Sequence, residues 1–332
     1  MAVAPMIETD VRLLSDEQVN FYHENGYLVV EDVLSDEELQ GLRDETARIC
    51  RGERGLVQGL PDFDPSESDE DIVARTLCVH FPHKISDVML DAVTQPGIVE
   101  GLTQLIGPNV KSMQSMLFIK SAGKPGQAWH QDEAFIPTRD CSLTAAWMAL
   151  EDATPENGCL WAIPGSHRLR TLWPFRDHDD ERYDCAQEAF DFPFTDDDGV
   201  MVPAKAGSVV FFNGYLLHRS LPNYAETGFR RALVNHYMSA ESLLPWRLPE
   251  PGTGMGMADF RDIIMVAGTD PYAYKGIQTD RFAHVRPDKE GGCKWPSKVE
   301  TGAKAEANGA MGAAMGGGAM GGDMGSSAPA MG

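Results

Sequence analysis

Residues 110–136, VKSMQSMLFIKSAGKPGQAWHQDEAFI, decide how this chain reads. The run 110–122 is apolar, breaks at the Gly-Lys-Pro-Gly turn 123–126, and a second short run resumes at 127–136. Four further segments repeat that character: LTAAWMALED (143–152), GCLWAIPG (158–165), GSVVFFNG (207–214) and RRALVNHYMS (230–239). Short apolar runs punctuated by Gly, Pro, Asn and Asp predict an antiparallel sandwich or barrel. Between two of them lies an Asp- and aromatic-rich insertion, residues 169–199. Its length and position predict a lid or binding loop.

Upstream of Val110 the pattern is largely helical. Ser15 and Gln18 form a capping box, followed by Val19, Phe21 and Tyr22 and a C-cap at Asn25-Gly26. Tyr27–Val30 is β-branched and predicts a strand, and a second capping box at Ser35 and Glu38 opens a helix to about Ile49. Residues 52–75 read as a polar surface loop. Residues 85–106 read as helix, broken near Pro96-Gly97. The organisation expected is an arm (1–13), one catalytic domain (14–300) and a disordered tail (301–332). Residues 302–332 hold 10 Gly, 9 Ala and 5 Met, a composition with no periodic apolar face.

Composition excludes several partners. A net charge of −22 without clustered Lys/Arg argues against nucleic acid or an anionic membrane, while a small anionic substrate sees only its pocket's local field. No stretch approaches the roughly 18 apolar residues of a membrane span, and no leader pattern is visible. The six cysteines lie far apart with no C-x-x-C pair, which predicts six free thiols in a soluble, cytoplasmic protein.

The chemical signal is Trp129-His130-Gln131-Asp132, with His218 following 86 residues after Asp132. On a strand, His130 and Asp132 project to one face, and a second imidazole from a distant strand completes two His and one carboxylate. Such a facial set leaves positions open on an octahedral ion and is typical of non-haem Fe(II) oxygenases. An H-x-D pair by itself is common. Here it is joined by Arg230, twelve residues after His218, whose guanidinium suits a bidentate carboxylate. His80 and His83 read as structural or surface residues because Pro82 separates them, His167 as a loop-fixing residue, and Cys159 as core. The Gly-rich stretch 252–260 lacks the strand and the Lys-Ser/Thr of a phosphate loop.

The opening segment 16–39, the FIK segment at 118–120, the tryptophan strand AAWMALED, Asn157-Gly158-Cys159-Leu160, Pro164-Gly165-Ser166-His167 and the His218–Arg230 region together resemble the phytanoyl-CoA dioxygenase (PhyH-like) family. The resemblance covers roughly residues 14–245 and implies a double-stranded β-helix (a cupin-like jelly roll), mainly β with flanking helices. It implies Fe(II) held by His130, Asp132 and His218, with 2-oxoglutarate as cosubstrate and O2 as oxidant. Arg230, helped by Ser220, would hold the distal carboxylate, Arg231 being the alternative. Met116 and Trp147 would line the cosubstrate pocket, and Lys84 in HFPHKISD would match an additional cosubstrate lysine.

The reaction implied is hydroxylation of an unactivated C–H of a small or lipid-like molecule, with release of succinate and CO2. Halogenating relatives replace the carboxylate ligand by a small residue, so Asp132 favours hydroxylation. The acidic excess of 169–199 argues against a coenzyme-A thioester, whose phosphates would want a basic rim. The alternatives are desaturation, ring closure or epimerisation on the same site, or a cupin-like metal-binding protein without oxygenase activity.

Overall fold

The structure, a computed structural model, describes residues 13–243, 261–277, 279, 281–286, 289 and 293. The arm before residue 13, the Gly-rich 252–260 segment and the 301–332 tail lie outside the described residues. The chain divides into two units, Met1–Pro296 and Ser297–Gly332, and every described residue belongs to the first.

Five helices and fourteen strands are described. The N-terminal part holds α1 (Asp16–Asn25), β1 (Tyr27–Val30), α2 (Asp36–Cys50), α3 (Asp69–Ala74) and β2 (Cys78–His80). Then come α4 (Asp87–Val93), α5 (Pro96–Leu105), β3 (Val110–Ser121), β4 (Gln127–His130), β5 (Thr144–Ala149) and β6 (Leu160–Ala162). The insertion contributes β7 (Phe175–Arg176) and β8 (Glu188–Ala189). After it run β9 (Val200–Val202), β10 (Val209–Asn213), β11 (His218–Ser220), β12 (Phe229–Ser239), β13 (Ile264–Ala267) and β14 (His284–Val285).

Both capping boxes form as the sequence predicts: Ser15 accepts from Gln18 N–H and Ser35 from Glu38 N–H. Gly26 closes α1 at φ 84°, a left-handed conformation, and a Cβ there would lie 2.4 Å from His167 Nδ1. One expectation fails: the loop 52–75 contains α3, whose N-cap Ser68 accepts from Asp71 N–H and whose Ile72 and Val73 are buried. Acidic residues at the start of this short helix hid it, because they suit a first turn as well as a loop.

Two antiparallel sheets face one another. The major sheet has the order β1-β10-β5-β12-β3-β2-β14, with β13 also on β3, and the minor sheet runs β4-β11-β6-β9. Alternation sorts every long strand into two faces. Leu117, Ile119, Met148, Phe211, Leu233 and Tyr237 point outward and pack with α2, α4 and α5. Met116, Trp147, Phe212, Ala232 and Val234 point inward toward the minor sheet. A fully buried Ile98 or Leu102 on α5 contributes roughly 1.5–3 kcal/mol through removal from water. Tyr237 Oη donates to Val93 O at 2.9 Å, satisfying its one polar atom where the α4 end meets the sheet. This is the jelly roll with external helices that the sequence predicts.

The 169–199 insertion is less a free lid than a cover. Trp173, Phe175, Phe192 and Phe194 pack on Trp129, Ile163 and Leu217, the outward-facing residues of the minor sheet. Trp129 Nε1 donates to Asp196 Oδ1 at 2.9 Å, and Arg219, lying over the rings of Trp129 and Trp161, donates to Asp196 Oδ2 at 2.9 Å. Only the stretch Cys185–Gln187 reaches the interior cavity. Cys185 is joined to Cys293 by a disulfide across a sequence separation of 108, and Cys50, Cys78, Cys141 and Cys159 are free. The six-thiol expectation is therefore corrected: spacing along the chain says nothing about which sulfurs the fold brings together. Among the described residues no helix is long and apolar enough to cross a membrane.

Candidate active site

The sequence places His130 and His218 on neighbouring antiparallel strands, and the register sets them directly opposite each other. Their ring centroids are 4.0 Å apart. His130 Nδ1 donates to Ala128 O at 2.8 Å and His218 Nδ1 to Leu216 O at 3.0 Å. Those bonds place a proton on Nδ1 of each ring and turn each Nε2 toward the interior. Burial is the larger reason the His130 imidazole is pulled down to about 3, with His218 beside it adding to the effect, so this ring is a neutral donor at physiological pH.

Asp132 reaches the same point by a slightly different route from the one alternation predicts. Strand β4 ends at His130, Gln131 stays extended, and Asp132 begins a 3₁₀ turn. Its Oδ1 nevertheless lies 3.7 Å from His130 Nε2 and 3.8 Å from His218 Nε2. His236 Nε2 lies 3.0 Å from the other oxygen, Oδ2. One carboxylate oxygen is thus bonded by His236 and the other is left to the two imidazoles. Burial alone would raise this carboxyl, but His218, His236 and the hydrogen bond outweigh it and hold it well below the usual carboxylate range. The three donor atoms, two imidazole nitrogens and one carboxylate oxygen, lie within 4.8 Å of one another, a set that fits Fe(II).

A cavity of about 430 Å³ opens from these ligands between the sheets. Met116, Trp147, Ser220 and Arg230 all line it, so the structure brings together every sequence-predicted residue but one. Arg230 is 2% exposed, its guanidinium carbon lies 5.5 Å from the Trp147 ring centroid, and its Nε has no hydrogen-bond partner. Burial pulls its pKa down to about 10, which leaves it charged. Arg231 points the other way: its Nε donates to Glu151 Oε1 at 2.8 Å on the outer face. Alternation along β12 decides between the two arginines.

Lys84 is the exception. Its ammonium pairs with Asp262 and it does not line the cavity, because the turn Pro82–Lys84 carries it away from β2. His80, the last residue of β2 and opposite Met116 in register, lines the cavity instead. It is therefore buried, not a surface residue. His83 is buried with Nδ1 bonded to Ser115 Oγ, and His167 Nε2 bonds His23 O at 3.0 Å, a loop-fixing role. Cys159 is a buried core residue, its thiol pushed up by burial.

Sequence reasoning missed His236, Lys120, Arg286 and Gln114. The signal for His236 was present: it shares a face with Arg230, six residues earlier on the same strand. Arg286 lies beyond the motif region, lines the cavity, and pairs with buried Asp184 at 3.2 Å.

A jelly roll with two imidazoles, one carboxylate and a buried cation around a single cavity defines the class of non-haem iron oxygenases that use a 2-oxo acid. The phytanoyl-CoA dioxygenase (PhyH) family model matches residues 22–232, and the chain belongs to that family. It is 31% identical over 250 residues to the peroxisomal phytanoyl-CoA dioxygenase of Rattus norvegicus, covering 70% of each chain. It is 32% identical over 259 residues to phytanoyl-CoA dioxygenase 1 of Oryza sativa subsp. japonica, covering 69% of this chain and 90% of that one. Among solved structures it resembles the non-haem alpha-ketoglutarate-dependent carbocyclase SnoK from nogalamycin biosynthesis. The TM-score there is 0.52 with 26% identity, over 70% of this chain and 86% of that chain.

Proposed function

We propose that this protein is an Fe(II)/2-oxoglutarate-dependent dioxygenase that hydroxylates an unactivated C–H of a small or lipid-like organic substrate. The observation that carries the reading is Arg230: a buried guanidinium with an unpartnered Nε, in the same cavity as the His130–Asp132–His218 set. A metal site with a purely structural role has no use for a desolvated cation nearby. A dicarboxylate bound to the metal at one end and to Arg230 at the other accounts for both.

His130 and His218 would hold the ion through Nε2 and Asp132 through Oδ1, while His236 keeps Oδ2 occupied. When bound, Fe(II) with 2-oxoglutarate supplies the oxidising chemistry, releasing succinate and CO2 and delivering oxygen to a C–H. Met116 and Trp147 would pack against the carbon chain of the cosubstrate, and Arg230 with Ser220 would bind its distal carboxylate. Phe135, Ile136, Gln114 and Gln187 line the remaining cavity, a mixed apolar and amide surface for the substrate. The stretch Cys185–Gln187 excludes bulk water from that side.

Asp132 as the third ligand favours hydroxylation over halogenation. The likeness to a carbocyclase keeps ring closure as a second outcome of the same site. The test is anaerobic titration of Fe(II) and 2-oxoglutarate followed by visible absorbance, then succinate release and product analysis across a metabolite panel. Hydroxylated product with a charge-transfer band that His130→Ala abolishes supports the reading. No band with the native chain would sink it.

A further inference from the structure

Ser220 Oγ accepts twice. Lys120 Nζ donates to it at 3.0 Å and Gln127 N–H at 3.3 Å. A hydroxyl has two acceptor positions and one proton, so with both lone pairs engaged its O–H is left only to donate. Ser220 lines the cavity beside Arg230. Lys120 sits opposite Arg230 in the β12–β3 register, on the same inward face, and is 3% exposed.

Two cations buried side by side demand an explanation. Neither makes an ion pair with a carboxylate among the described residues. Asp184, whose field reaches Lys120, is committed to Arg286 at 3.2 Å. Lys120 also donates to Leu221 O at 2.6 Å, but a neutral amide would serve that carbonyl without the several kcal/mol that burying an ammonium costs. Burial first and neighbouring Arg230 second pull the Lys120 pKa well below its usual range, so what this position supplies in the structure is its hydrogen bond to Ser220 Oγ.

We propose that Lys120 is a positioning residue for the distal carboxylate of the 2-oxo acid: with Gln127 N–H it occupies the acceptor side of Ser220 Oγ and turns the hydroxyl proton toward the anion that Arg230 holds. This rests on the cosubstrate reading above and deepens it. Lys120 touches Ser220 rather than the ligand, and a bound distal carboxylate beside it would favour its protonated form, which a monocarboxylate would not.

The test compares 2-oxoglutarate with 2-oxovalerate, which keeps the chelating end and lacks the distal carboxylate. Each is titrated calorimetrically into the Mn(II)-loaded full chain. Lys120→Met is expected to weaken 2-oxoglutarate about tenfold or more, the scale of a lost charge-assisted hydrogen bond, and to leave 2-oxovalerate unchanged. Ser220→Ala is expected to do the same, and the double variant to lose little beyond either single one. Equal loss for both acids, no loss, or fully additive losses would overturn the proposal. Should Lys120→Met fail to fold, Ser220→Ala decides alone: a loss confined to 2-oxoglutarate supports the proposal, and any other result overturns it. Native chain that binds neither acid overturns the cosubstrate reading itself and this proposal with it, an outcome seen before any variant is made.

Discussion

His236 Nε2 lies 3.0 Å from Asp132 Oδ2, on the far side of the carboxylate from His130 and His218. An ionised carboxylate only accepts, so this nitrogen carries the proton and His236 fixes which oxygen faces the metal. Removing it frees Asp132 to rotate about its terminal torsion. His236→Ala is expected to weaken Mn(II) binding about 10–100-fold, the usual cost of losing such a partner, with His236→Gln recovering part through its amide N–H. Calorimetric Mn(II) titration checks it, and unchanged affinity in His236→Ala refutes the role.

The opposed directions of Arg230 and Arg231 give a paired test. Arg230→Gln is expected to lower 2-oxoglutarate affinity at least about 100-fold, the scale of a desolvated charge pair. Arg231→Gln should leave that affinity within about twofold and cost about 1 kcal/mol in urea unfolding, since its Glu151 partner is partly exposed. Reversal of the two phenotypes would reassign the anchor.

Thiol titration of denatured, unreduced protein should find four reactive cysteines, not six. Proteolysis under the same conditions should release a peptide pair linking Cys185 to Cys293. Closing a loop with a separation of 108 residues restricts the unfolded chain, by about 4–5 kcal/mol in the chain-entropy account, so reduction should lower the melting temperature. Six reactive thiols would contradict the pairing.

His83 makes stability depend on pH. Burial pulls its pKa from 6.5 to about 4, with Lys84 nearby as a smaller cause, so the unfolded chain takes up the proton first. The contribution is complete above pH 6.5 and is lost as pH falls toward 4. Its size is on the order of 3 kcal/mol. Urea unfolding at pH 7 and pH 4.5 should show the native chain losing more stability than His83→Gln. Equal losses would remove His83 from the account.

What the sequence determined on its own was local. Capping boxes at Ser15 and Ser35 set two helix starts, because their hydrogen bonds close within four residues. Strand alternation put His130 inward and required that only one of Arg230 and Arg231 face the site, because a period of two is a property of the backbone; which of the two it is came from the structure. Tertiary structure decided whatever depends on two distant segments meeting. It sent Lys84 to Asp262, 178 residues away, and joined Cys185 to Cys293. It set His236 against Asp132, 104 residues apart, and Lys120 against Ser220, 100 apart. Those pairings follow from strand register and from how the two sheets face each other, which no local pattern encodes. The metal ligands were legible because the H-x-D pair and a later His form a sequence pattern, although Asp132 reaches the site from a turn rather than from the strand; the residues that hold and aim them were not, because their partners lie on other strands.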